Sequence, residues 1–244
     1  MENLLTVPKA TLSAIAFVAR NFKPFLFRSL SIILLASVLE ILMGFLSTEL
    51  GYAIAALMTF VYAIFMVSWH RYSVLSSENA QKGFVGAFGL RELKFGALFL
   101  AAGVVFVLSQ NALSEAFQEG IATLIFFVIV LLCTNLLLFF YPAIALNQPI
   151  NAGWFLYNSL RLFFSFLFAA LMAVALFFVP AALTVGFGYL VLTYIPGDLS
   201  QAVLIVVFQK LITFLTLAVA ASTASFLYRD VIGLQEEAGA TTPQ

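Results

Sequence analysis

Charge is scarce in this chain. Lysine, arginine, aspartate and glutamate make up 9% of its 244 residues, against about a quarter in an average soluble domain. Basic and acidic side chains number eleven each, so there is no net positive field of the kind that draws a domain to nucleic acid. Histidine and cysteine occur once each, as His70 and Cys133. A lone cysteine closes no intramolecular disulfide, and a lone histidine without a cysteine cluster furnishes no zinc or di-iron ligand set. A glycine-rich phosphate loop, an HExxH helix and a paired-acid motif are also missing. No cofactor, no metal and no enzymatic activity are expected.

What the chain has in abundance is apolar surface. Apolar residues make up 64% of it, phenylalanine alone accounts for 28 positions, and the mean hydropathy is +1.11. A soluble fold of this length has no interior large enough for so much Phe and Leu. Lipid must be the solvent for most of it.

A helix crossing the hydrocarbon core needs about 20 mostly apolar residues. Such runs occur at 25–46, 51–69, 95–113, 120–141, 162–191 and 202–228. Three breaks are short polar turns, at 47–49, 114–119 and 195–198, and read as hairpin tips. The first run is long enough to span and has no small-residue cleavage pattern after it, so it reads as a membrane helix rather than a leader.

Orientation follows from the basic residues, which stay on the cytoplasmic side. Lys9, Arg20, Lys23, Arg28, Arg71, Lys82, Arg91, Lys94, Arg161 and Arg229 all fall on one side of a six-span arrangement. The opposite turns carry only Glu49, Glu115, Glu119 and Asp198. Both termini are therefore expected in the cytoplasm. Trp69, His70, Arg71, Trp154, Tyr228 and Arg229, with Tyr72 and Tyr141, are expected to anchor at the cytoplasmic interface, where headgroups meet water.

Each hairpin is preceded by an amphipathic segment. Thr6 and Pro8 suit a helix start, after which Leu12, Ile15, Val18, Ala19 and Phe22 share one arc and Lys9, Ser13, Arg20 and Asn21 the other. After Pro149, Ile150, Trp154, Leu156, Tyr157 and Leu160 share an arc, with Asn151, Asn158 and Ser159 facing away. The middle copy, around 79–93, is weakened by Gly83, Gly86 and Gly89. These patterns predict helices lying in the membrane surface. A spacing near seventy residues divides residues 1–234, a single polytopic domain, into possible repeats at 8–77, 79–147 and 149–234. The polar tail 235–244 has no apolar face and is expected to be disordered.

Trp69–His70–Arg71–Tyr72, Tyr141–Pro142–Ala143–Ile144–Ala145–Leu146, Tyr228–Arg229–Asp230 and Asn151–Ala152–Gly153–Trp154 give the chain a resemblance to a broad group of bacterial six-span proteins. That group includes the YciC-like proteins and the membrane domain attached to some glycerophosphoryl diester phosphodiesterases. The resemblance implies a bacterial inner-membrane protein and no particular reaction, since the phosphodiesterase domain is absent.

Two charges lie inside spans, Glu40 in the first and Lys210 in the last, each roughly 10–12 Å below the outer interface at 1.5 Å per residue. They are expected to meet in one layer, as a static clasp or as part of a transport path, unless each snorkels to the interface by itself. Pro180 sits within the over-long fifth run and predicts a kink or a discontinuous helix. Gly51, Ala55, Thr59 and Ala63 form a flat stripe for close helix contact, and Thr134 and Asn135 can hydrogen-bond to a neighbouring helix. The expected function is a non-enzymatic inner-membrane protein that supports envelope organisation or joins another membrane complex. Its expected partners are membrane lipids and another membrane protein, with no nucleic acid. The alternative is a small transporter or lipid-handling protein working through the Glu40/Lys210 layer.

Overall fold

A backbone dissolved in hydrocarbon must satisfy its own N–H and C=O groups, and a chain without a closed barrel does so with helices. The computed structural model describes residues 2–75 and 88–234, and the backbone alone at 2, 3 and 172–178. Every described element is helical. A 3-10 turn at Glu2–Leu5 leads into α1 (Thr6–Arg20), α2 (Phe22–Met43) and α3 (Thr48–Val74). After them come α4 (Leu90–Ala116), α5 (Glu119–Leu137), α6 (Phe140–Leu146), α7 (Ala152–Arg161), α8 (Phe163–Tyr194) and α9 (Asp198–Leu227). A π-helical turn, Tyr228–Ile232, continues α9.

Five stretches are long and apolar enough to cross a membrane: α2, α3, α4, α5 with α6, and α9 with its π turn. A sixth is reached when α7 and the start of α8, which meet at 57°, count as one span. The protein is a multi-pass membrane protein. The expected middle amphipathic segment falls largely, and the tail from residue 235 wholly, outside the described residues.

The stops have local causes. Asn147 adopts the left-handed conformation, φ 55°, after α6, a position asparagine tolerates, and Pro149 then forbids a continued helix. Ile195 is extended, as the residue before Pro196 prefers, and Gly197 at φ 90° turns the chain into α9.

Consecutive long helices pack against each other: α2 on α3, α4 on α5, α8 on α9. The last helix is the hub, since α9 also touches α1, α2, α3 and α6. Its second half carries Phe214, Ala218 and Ala221, all fully buried against Phe25, Phe65 and Trp69. Phe65 meets Phe214 edge to face at 4.9 Å. Small residues let the backbones approach. At Gly96 on α4 a Cβ would come within 2.5 Å of the Phe60 ring and 3.4 Å of the Ala63 Cβ on α3. Ala63 thus uses the inner end of the small-residue stripe, while Ala55 remains exposed.

The amphipathic helices differ from the two-faced reading. α1 is three-sided. Val7, Ala10, Ala14 and Val18 are buried against the bundle, Lys9, Ser13 and Arg20 are exposed, and so are Leu12 (53%), Ile15 (37%) and Ala19. At 100° per residue these arcs centre about 120° apart. The helix is therefore docked sideways on α8 and α9 with one apolar arc left over. In α7 the expected polar face turns inward. Asn158 and Ser159 are buried at 2% and 0%, while Trp154, Leu156, Tyr157 and Leu160 are exposed. The reason is that protein, not water, covers that side: the Asn135 amide on α5 donates to the Ser159 carbonyl at 2.9 Å.

The two elbows are in register in the sequence. Pro8…Arg20-x-Phe22-x-x-Phe25-Leu26-Phe27-x-x-Leu30 corresponds to Pro149…Arg161-x-Phe163-x-x-Phe166-Leu167-Phe168-x-x-Leu171. In each case the short helix ends at the arginine and the long one begins at the next phenylalanine.

Candidate functional site

The polar groups within the spans define the site, and the first is the Glu40–Lys210 layer. The structure brings these residues into an ion pair, and the Lys210 ammonium also donates to the Tyr62 hydroxyl at 3.1 Å. Their depths within their helices differ from the equal depths expected. Glu40 stands one turn before the end of α2, whereas Lys210 stands three turns into α9. Side chains on a helix lean toward its N-terminus. α2 runs opposite to α3 and α9, so Glu40 leans back toward the start of α2 while Lys210 and Tyr62 lean back toward the starts of α9 and α3. The groups converge between their Cα levels. Lys210 is buried, and the Glu40 side chain keeps 34% of its surface open.

Tyr62 was missed by the sequence reading. A tyrosine hydroxyl in an otherwise apolar stretch of the second span is the signal that marks it. An isolated charge in hydrocarbon is costly, and a buried ion pair repays its desolvation only with good geometry and further hydrogen bonds. Tyr62 supplies one such bond, with the Lys210 ammonium also 5.8 Å from its ring centroid.

A second polar layer lies toward the other end of the same helices. The Trp69 indole N–H donates to the Ser222 hydroxyl at 2.9 Å, and His70 Nδ1 lies 2.6 Å from the Ser225 hydroxyl. Both join α3 to α9. Trp69, His70 and Tyr228, expected to anchor at the membrane surface, are instead 1%, 1% and 2% exposed. Trp69 packs on Phe25, Phe65 and Tyr72, His70 lies against Phe95, and Tyr228 against Phe139 and Phe155. An aromatic residue near a helix end suits an interface or an interhelical seam, and Ser222 and Ser225 opposite place Trp69 and His70 in a seam. Trp154 (47% exposed) and Arg229 remain at the surface, Arg229 paired with Asp230 at 2.8 Å, and Arg71 is half-buried.

The remaining polar contacts are struts. The Val7 amide donates to Ser165 Oγ, whose hydroxyl donates to the Leu4 carbonyl, both at 2.9 Å. Pro180 lies inside α8, with its carbonyl accepting from Thr184 at 2.9 Å. The 57° bend lies at Leu162, eighteen residues earlier. Among the described residues no three His, Cys, Asp or Glu side chains gather into a group able to hold a metal ion. The buried atoms His70 Nε2, Asn135 Oδ1 and Ser159 Oγ have no hydrogen-bond partner among the described residues.

No protein-family model, no curated protein and no solved structure matches the chain.

Proposed function

We propose that this chain is a non-enzymatic scaffold of the bacterial inner membrane, a subunit that organises or stabilises a larger envelope assembly. Its six spans form three hairpins with both termini in the cytoplasm, and its short amphipathic helices rest on the cytoplasmic leaflet. The observation that carries this reading is the use made of polar side chains. Glu40, Tyr62 and Lys210, and Trp69, His70, Ser222 and Ser225, bind helix to helix within a centre filled by Phe25, Phe65, Trp69 and Phe214. Polar groups spent on packing serve shape and assembly rather than turnover. The sequence resemblance to YciC-like inner-membrane proteins points the same way.

The test is purification of the full chain in mild detergent at its native expression level. A defined protein in fixed stoichiometry, lost when exposed span residues such as Val104 and Leu108 are changed to serine, supports the scaffold. Isolation as a lone chain in every detergent and lipid mixture overturns it.

A small transporter or lipid-handling protein is the second reading, favoured by the partial exposure of Glu40 beside Lys210. Purified chain in sealed vesicles that moves a solute, and stops doing so with Glu40→Gln, would replace the scaffold by that reading.

A further inference from the structure

Lys9, Arg20 and Lys23 are exposed and have no ion-pair partner among the described residues. The acidic side chains described at their end of the bundle are occupied. Glu92 is buried and accepts from the Gly89 amide at 2.9 Å, and Asp230 holds Arg229. Glu40, Glu49, Glu115, Glu119 and Asp198 lie toward the far ends of the helices. Beside Arg20 and Lys23 runs the apolar arc of α1 that the bundle leaves uncovered, with Ile15 at 37% exposure and Ala19 exposed, and Phe22, 42% exposed, follows it at the start of α2.

We propose that the elbow between α1 and α2 is a docking site for anionic phospholipid, the phosphate held by Arg20 and Lys23 and the acyl chains lying along Ile15, Ala19 and Phe22. Charge complementarity selects the occupant. A zwitterionic lipid brings its own cation to its phosphate, whereas an anionic one leaves a net negative charge for two unpaired side chains. Each basic residue at a membrane surface favours such a headgroup about fivefold. The leftover apolar arc, about 120° from the basic one, places chain and headgroup on the same molecule, a match that an acidic soluble protein lacks.

The platform is already rigid. The Asn21 amide donates to the Phe17 carbonyl at 2.8 Å, the Tyr72 hydroxyl donates to Asn21 Oδ1 at 2.9 Å, and the Arg28 guanidinium stacks 4.6 Å over the Tyr72 ring. Val7 pins the other end of α1 to Ser165. Binding therefore orders little that is loose, which preserves affinity.

This deepens the scaffold reading by naming the lipid that its cytoplasmic face engages. The full chain, in neutral detergent with equimolar dioleoyl phosphatidylglycerol and dioleoyl phosphatidylcholine, is examined by native mass spectrometry. Bound phosphatidylglycerol should exceed phosphatidylcholine by up to about twenty-five-fold, about fivefold from each of the two residues. Arg20→Gln with Lys23→Gln should cut that preference at least about fivefold, and Arg20→Lys with Lys23→Arg should restore it. Equal retention of the two lipids, or a preference that survives the glutamine variant, overturns the site. Co-purification of the partner subunit is read separately, so the scaffold stands or falls on its own result.

Discussion

Glu40 and Lys210 meet because the helices that carry them run in opposite directions, so their side chains lean toward one another across unequal depths. The pair joins the first span to the last. Removing one partner strands the other, and Glu40→Gln or Lys210→Met should each destabilise the protein by about 1–3 kcal/mol, discounted for the open side of Glu40. The double variant should be no worse than the worse single change. Tyr62→Phe should cost about 0.5–1.5 kcal/mol. Unfolding titrations in mixed micelles measure all four variants, and simple additivity of the two charge changes would falsify the coupling.

The chain's two tryptophans report opposite environments. Trp69 is 1% exposed and Trp154 is 47% exposed. In vesicles of brominated lipid, the Trp69→Phe variant, which retains Trp154, should be strongly quenched. The Trp154→Phe variant, which retains Trp69, should fluoresce almost undimmed. Equal quenching would return Trp69 to the membrane surface.

The three-sided α1 separates residues that a two-faced helix would group. Ala14 is fully buried, and Ala14→Leu should overpack the seam and cost about 1–3 kcal/mol. Ser13→Leu, on the exposed side, should stay within about 0.5 kcal/mol. In α7 the buried Asn158 should tolerate Glu less well than exposed Tyr157 does, measured as folded yield in detergent.

Gly96 lets α3 and α4 approach. Gly96→Leu should cost about 1–3 kcal/mol through overpacking and lower Tm, while Gly103→Leu, with open space around it, should not. A matching Tm for both variants removes close packing as the reason for glycine at 96.

With Cys133 replaced by Ser, single cysteines at Ser47, Glu115 and Leu199 should react with an impermeant thiol reagent in intact cells. A cysteine at Ile150 should react only after permeabilisation. Labelling of Ile150 from outside would invert the proposed orientation.

The long apolar runs were readable because length and hydropathy report directly on lipid solvation, and the helices overrun those runs at both ends of α3, 48–74 against 51–69. Hydropathy cannot say which apolar side faces protein and which faces lipid, because both are equally oily. That is why the arc legible in the sequence, Leu12, Ile15, Val18, Ala19 and Phe22, shares only Val18 with the contact that Val7, Ala10 and Ala14 otherwise carry. The four-residue spacing from Ala10 to Ala14 to Val18 was the available cue. The burial of Trp69 and His70 was not legible for a related reason: their partners Ser222 and Ser225 are more than 150 residues away, and no local pattern announces a seam.

Because the hub of the fold is its last helix, the chain is synthesised with its principal contacts owed to a segment that does not yet exist. Glu40 enters the bilayer about 170 residues ahead of Lys210, which at ribosomal rates of about 5–20 residues per second is an interval on the order of ten to thirty seconds. Through that interval the carboxylate and the Val7–Val18 face of α1 wait uncovered. Until α9 is made, the nascent protein thus offers membrane proteases an unfinished bundle, and a stop codon within α9 should produce rapid degradation rather than a shortened, stable product.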